Sequence, residues 1–176
     1  MRFLLFLFLL FSSFLACAQN LAIKQEQQAC VQQTYLSQLH VRGATGKNDG
    51  TQVEAYLAVT KMPKGQPWCA AFVCWTLSQC GIPNPKNAFS PALFRNSHTV
   101  YTRGQGNAYT FQRGDVFGLF YTNLNRIGHV GFIHSENERF FITVEGNTNQ
   151  AGSREGDGVY RKRRPKKTIY KIPRYI

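Results

Sequence analysis

Gly65-Gln66-Pro67-Trp68-Cys69-Ala70-Ala71-Phe72-Val73 runs on to Cys80 and is closed by Gly81. Proline and an aromatic lead into a cysteine, a largely apolar run follows with no charge before Lys86, and a glycine stands where a helix would stop. The pattern predicts a helix that begins at the cysteine. The unpaired backbone N–H groups and the macrodipole of a helix N-terminus favour an anion, so a thiol there gains thiolate character. Cys69 is therefore a candidate nucleophile. Such a nucleophile needs a base within hydrogen-bond reach and a third group that orients the base.

The chain has four histidines to supply the base. His129 stands out, because Arg126-Ile127-Gly128-His129-Val130-Gly131-Phe132 flanks it with glycines that permit close approach of backbone or substrate. His134 is five residues on and points to the opposite face of a straight strand. His40 and His98 sit in or beside loops, where a solvated side chain is the ordinary outcome. The third group should come from Phe140-Phe141-Ile142-Thr143-Val144-Glu145-Gly146-Asn147, where alternation places Thr143, Glu145 and Asn147 on one face. Residues directly opposite across an antiparallel ladder share a face, so bringing His129 to Glu145 requires an odd loop. The simplest is Glu136-Asn137-Glu138, with Ser135 opposite Arg139.

Working outward, Ile23 to about Leu39 reads as a helix with Ala29, Cys30, Leu36 and Leu39 inside. The turn-rich stretch from Gly43 to Gly50 follows. A second helix is expected from about Thr51, carrying Val53, Tyr56, Leu57 and Val59 until Pro63. Between Pro83 and Gly114 the pattern is irregular, with one short helix expected after Ser90-Pro91, capped by the serine. Strand-like segments then succeed one another: Val116–Tyr121, Ile127–His134, Arg139–Glu145, Val159–Arg164 and Thr168–Tyr175. Helices first and strands second predict an α+β fold, N-terminal helices packed on a C-terminal antiparallel sheet.

The ends differ from the middle. Residues 1–18 hold a single charge, Arg2, then an apolar run and Ala16-Cys17-Ala18, which reads as a secretory signal peptide cut before Gln19. Residues 19–176 then form one domain working in the periplasm or outside the cell. Cys17 offers a rival reading as the lipidated residue of an anchored lipoprotein, although Phe14-Leu15-Ala16 matches the usual preceding residues poorly. With Cys69 free, an oxidising compartment permits one disulfide between Cys30 and either Cys74 or Cys80, and the reading of all three as small buried hydrophobes is at least as good. The net charge is +12. The run Arg161-Lys162-Arg163-Arg164-Pro165-Lys166-Lys167 suits anionic wall polymers, lipopolysaccharide or an anionic membrane surface, and equally a solvated edge hairpin. It lacks the spaced stacking aromatics of a nucleic-acid site, so no nucleic acid is expected.

Taken in order, Pro67-Trp68-Cys69-Ala70-Ala71-Phe72-Val73, Gly114-Asp115-Val116, Gly128-His129-Val130-Gly131 and Glu145-Gly146-Asn147-Thr148-Asn149 resemble the CHAP family of cysteine amidohydrolases and peptidases, relatives of NlpC/P60. The resemblance implies a papain-like α+β fold and cleavage of an amide bond of bacterial peptidoglycan, as an N-acetylmuramoyl-L-alanine amidase or a peptide-stem endopeptidase. It implies Cys69 as nucleophile, His129 as base, and Glu145 with Asn147 as the pair that supports the histidine. Many members have glutamine immediately before the nucleophile, where this chain has Trp68; Gln66 or the Cys69 backbone N–H are the alternative oxyanion donors. Some members bind calcium through an aspartate-rich loop ahead of the cysteine. Only Asp49 stands there, so no metal and no cofactor are expected. The same residues would also suit a secreted cysteine protease acting on proteins. A buried or disulfide-bonded thiol would instead favour a non-catalytic wall-binding protein.

Overall fold

The computed structural model describes the backbone of residues 2–94, 99–106 and 109–176, with side chains from residue 17 onward in those ranges. His98 lies outside the described residues. Helix α1 spans Arg2–Ser37, well ahead of the expected start at Ile23. No glycine or proline interrupts that span, so the backbone has no reason to stop between the leader and the Gln-rich segment. The inner side of α1 is Val31 and Tyr35, with Leu36 and Leu39 half-buried beside them, and Ala29 is exposed rather than inside. Among the described residues no helix is long and apolar enough to cross a membrane.

Helix α2, Thr51–Val59, buries Val53, Tyr56 and Leu57. Gly50 precedes it at φ 107°, and its N–H is taken by the Glu54 carboxylate at 3.2 Å, so the helix satisfies its own first donor. Helix α3, Cys69–Gln79, begins at the cysteine and ends as Gly81 foretells. Gly81 turns left-handed at φ 66°, its N–H reaches Ser78 O at 3.1 Å, and the Ile82 N–H reaches Leu77 O at 2.9 Å. These two bonds cap the last carbonyls of the helix. Cys30 is bonded to Cys80, which ties the C-terminal end of α3 to α1 and leaves Cys74 free.

Six antiparallel strands follow in one sheet, ordered β1-β6-β2-β3-β4-β5: β1 Thr99–Thr102, β2 Val116–Tyr121, β3 Arg126–Glu136, β4 Phe140–Thr148, β5 Gly158–Pro165 and β6 Lys171–Pro173. β1 falls inside the stretch expected to be irregular. Its four residues are held by pairing with β6, as in Tyr101↔Ile172, a contact that local sequence does not announce. β6 is shorter than Thr168–Tyr175, because Lys166–Thr168 coils into a 3-10 turn behind Pro165.

The β3–β4 hairpin departs from the expected loop. It closes on Glu136↔Phe141, an even connection, and the register then shifts between Ile133 and Ser135 so that His134 is the extra residue. That bulge restores the parity which the even loop would lose, and Ile133↔Thr143 and Phe132↔Val144 come out in the register that keeps His129 and Glu145 on one face. His134 turns to α1, its Nδ1 3.0 Å from the Tyr35 hydroxyl.

Two clusters fill the interior. Val116, Val130, Phe132 and Val144 pack with the helices, and around them Tyr56 meets Trp68, Phe72 and Trp75 at ring separations of 5.5, 5.3 and 5.0 Å. Phe117, Leu119, Ile133, Phe141, Ile169 and Ile172 form a separate cluster, covered by Val100, Tyr101, Tyr109 and Phe111. Both sides of the central strands are thus dry, which fixes the strands that carry the site.

Candidate active site

Cys69 opens α3 with Trp68 as the preceding cap residue and no side chain capping the turn. The first bond inside the helix runs from the Phe72 N–H to Trp68 O at 2.8 Å, so the N–H groups of Cys69, Ala70 and Ala71 lie ahead of the helix ladder. Gly146 lets this end of the helix settle onto β4. A Cβ there would stand 2.8 Å from both Phe72 and Trp68.

His129 is fully buried and its Nε2 lies 2.8 Å from Glu145 Oε2. Nδ1 makes no closed hydrogen bond and is the ring atom left for the Cys69 thiol, which interacts with the same imidazole. Gly131 makes the diagonal approach possible: a Cβ at that position would stand 2.9 Å from Glu145 Cγ and 2.8 Å from Val144 O. Glu145 is itself fully buried and accepts from three side chains. Thr143 Oγ1 donates at 2.5 Å, and Arg164 grips both carboxylate oxygens, Nε at 2.8 Å and Nη2 at 2.6 Å.

The charges follow from this packing. Burial alone would push the Cys69 thiol up, but the His129 imidazole, the Ser90 hydroxyl and the Val130 backbone N–H outweigh it and leave the thiol below its ordinary range. Burial would likewise lower His129, yet its bonds to Cys69 and Glu145 raise it to about 9. Glu145, which burial would raise, is held at about 2 by Arg164 and His129. The arrangement favours a thiolate beside an imidazolium, the charge state of an activated cysteine nucleophile.

Cys69 is free and only 4% exposed, and it sits in the lining of a cleft of about 480 Å³ together with Gln66, Pro67, Ser90 and Gly128. A larger depression of about 850 Å³ lies across Pro67, between residues 46–48 and 149–157, and holds none of Cys69, His129 and Glu145. Trp68, open from the sequence to either a substrate contact or a place capping the core, is 1% exposed and stacked on Tyr56, the core position. Asn147 is brought to the end of β4 but not into a bond with His129. It adopts a left-handed backbone at φ 55°, where the β4–β5 register shifts, and both of its amide atoms are buried without a hydrogen-bond partner.

Two residues of the site were not anticipated. Ser90 was expected to cap the turn Ser90–Leu93; it makes no cap bond, and its Oγ lies 3.6 Å from Cys69 Sγ. Arg164 was expected among the anion-binding cations of the basic run and instead faces inward to Glu145. Alternation could have flagged it, since Arg164 shares a face of β5 with Lys162, whose ammonium turns back to the carbonyls of Asn149 and Gln150.

The family model of the CHAP domain matches residues 61–147, which takes in Cys69, His129, Glu145 and Asn147. The chain carries a CHAP domain. CHAP domains are amidase- and peptidase-like domains related to NlpC/P60, a generally hydrolytic family whose activity is of the peptidoglycan-hydrolase type. No curated protein and no solved structure matches the chain significantly. Arg164 and β5 lie beyond the matched segment, so the clamp on Glu145 comes from this chain's own C-terminal part.

Proposed function

We propose that this chain is an exported cysteine hydrolase that opens an amide bond of peptidoglycan through an acyl-enzyme. The observation that carries the reading is the imidazole of His129, bound through Nε2 to a clamped Glu145 and left with Nδ1 for a thiol at a helix N-terminus. The Cys69 thiolate attacks the amide carbonyl and the new C–S bond forms. Charge on the carbonyl oxygen is met by the Cys69 backbone N–H and, from the cleft, by Gln66. The imidazolium gives its proton to the leaving amine as the C–N bond breaks. Neutral His129 then takes a proton from water, the hydroxide attacks the thioester, and Cys69 leaves as thiolate.

Export is supported by the apolar leader ending in Ala16-Cys17-Ala18 and by the Cys30–Cys80 disulfide, a bond suited to an oxidising compartment. Residues 19–176 act as the mature catalytic domain. A contact with anionic wall polymer, lipopolysaccharide or membrane surface falls to Arg161, Arg163 and Lys167, which are exposed; Lys166 is 2.5 Å from Glu136.

The test is digestion of purified peptidoglycan by the wild type and by Cys69→Ala, with mass analysis of the soluble fragments. Products from the wild type alone are expected, and their masses name the bond. A wild type that releases nothing overturns the reading.

A further inference from the structure

The cleft in front of Cys69 is charged with one sign. Lys86, Arg126 and Arg154 line it, and no carboxylate does among the described residues. One of these cations has its charged group held in place before any ligand arrives, and a second is fixed at its backbone. Arg126 gives one Nη1 bond to Ile127 O at 3.0 Å and lays its guanidinium over the Phe89 ring, 5.0 Å from the centroid. Phe89 is 53% exposed, a large aromatic left at the rim, and the stacked guanidinium keeps its remaining donors for the cleft. Lys86 takes a left-handed backbone, φ 46°, fixed by its N–H bond to Asn84 Oδ1 at 3.1 Å. Arg154 is the least committed to the cleft, since it lies 2.5 Å from Glu155.

Arg126 also stands three residues before His129 on the same strand, so its place relative to the reacting atoms is set by β3 rather than by a loop. A fork of donors that lines the same cleft as the nucleophile is suited to a planar anion on the substrate, near the bond that is cut. A cleft lined by one sign of charge concentrates such an anion.

We infer that Arg126, assisted by Lys86, recognises a free carboxylate of the substrate within a residue or two of the scissile amide. The inference rests on the peptidoglycan reading for its substrate class. Stem peptides carry backbone carboxyl groups that occur either free or as carboxamides, and the site selects the free form. A carboxamide would leave the guanidinium with a neutral acceptor and turn an N–H toward it.

The experiment uses two soluble muropeptides that differ only in one carboxyl group, free or amidated. Their binding to Cys69→Ala is measured by calorimetry and their cleavage by the wild type is followed in parallel. The free acid is expected to bind roughly 10- to 100-fold more tightly. In the double variants that add Arg126→Gln or Lys86→Gln, the ratio should fall toward one, more for Arg126, while the circular dichroism of the fold is retained. Raising the salt concentration should shrink the same ratio. Equal binding of the two forms overturns the inference, whether or not the wild type cleaves them. A carboxylate preference without cleavage supports the inference and overturns the hydrolase reading instead. Failure of both muropeptides to bind overturns the carboxylate site on stem peptides.

Discussion

Cys69 and Cys74 lie five residues apart on the same helix, both free and both buried, at 4% and 0% exposure. Their surroundings separate them. Cys69 meets a histidine, a hydroxyl and a backbone N–H, which together bring the thiol below its ordinary range. Cys74 has only weak backbone contacts, including Asn87 O at 3.7 Å, and burial pushes it up to about 11. Low exposure is therefore a poor guide to whether a thiol is inert. What decides is whether burial has brought partners that prefer the charged form.

The widest separation is expected in turnover. Cys69→Ala should lower kcat/KM on peptidoglycan by at least about four orders of magnitude, since both steps of the acyl transfer run through the thiol. Cys74→Ala should leave kcat/KM within about threefold and cost about 1 kcal/mol in urea unfolding, the size of a small core truncation. A Cys74 variant that is folded and inactive would break the comparison. Alkylation reads the same contrast without a substrate. At pH 6 iodoacetamide should modify Cys69 at least about a hundredfold faster than Cys74, as counted by mass spectrometry of the peptides. His129→Ala should remove most of that advantage by returning the thiol toward its ordinary range.

The pH profile sharpens the comparison further. For kcat/KM the rate should rise as the Cys69–His129 pair loses its first proton, below the ordinary thiol range. It should fall again around pH 9 as His129 loses the proton that the leaving amine needs. Cys74, with its thiol raised, contributes to neither limb. A single rise centred on an ordinary thiol, with no alkaline fall, would contradict the ion pair.

How much of this was legible in the sequence depends on how far each contact reaches along the chain. The start of α3 at Cys69 and its end at Gly81 are local chemistry, and the residues themselves state them. The shared face of His129 and Glu145 was legible as a parity condition. The way it is met was not, because neither the even turn at Asn137–Phe140 nor the bulge at His134 has a local signature. Ser90 beside Cys69 and Arg164 on Glu145 are contacts across 21 and 19 residues, visible only once the strands are paired. Asp115 illustrates the same difficulty from the other side. It is buried and gripped by Arg174 through Nε and Nη2 much as Glu145 is by Arg164, yet its other donors are Tyr109 and the Gln112 N–H, and it anchors a loop. A buried carboxylate with an arginine on it reads alike in both places. Only the third partner, a histidine at one and a tyrosine at the other, tells them apart.

A smaller loss of turnover than at Cys69 is expected of Arg164→Gln, and it tests whether the clamp serves the thiol or only the fold. With Arg164 gone, Glu145 keeps Thr143 and His129 but loses the two bonds that hold its carboxylate ionised. Its value should rise from about 2, weaken the hold on imidazolium, and lower kcat/KM about tenfold, with the alkaline limb moving to lower pH as His129 becomes easier to deprotonate. The stability effect has a definite sign. A carboxylate depressed in the folded state stabilises it fully above the unfolded value, about 4, and loses that contribution as pH falls toward about 2. Arg164→Gln should thus cost about 2 kcal/mol at pH 7 and clearly less at pH 3, read from urea unfolding of Trp68 and Trp75 fluorescence. Labelling of Cys74 in the folded variant should stay slow while that of Cys69 at pH 6 slows severalfold. Equal loss at both pH values, with Cys69 labelling unchanged, would make Arg164 a prop of β5 and no part of what separates the two cysteines.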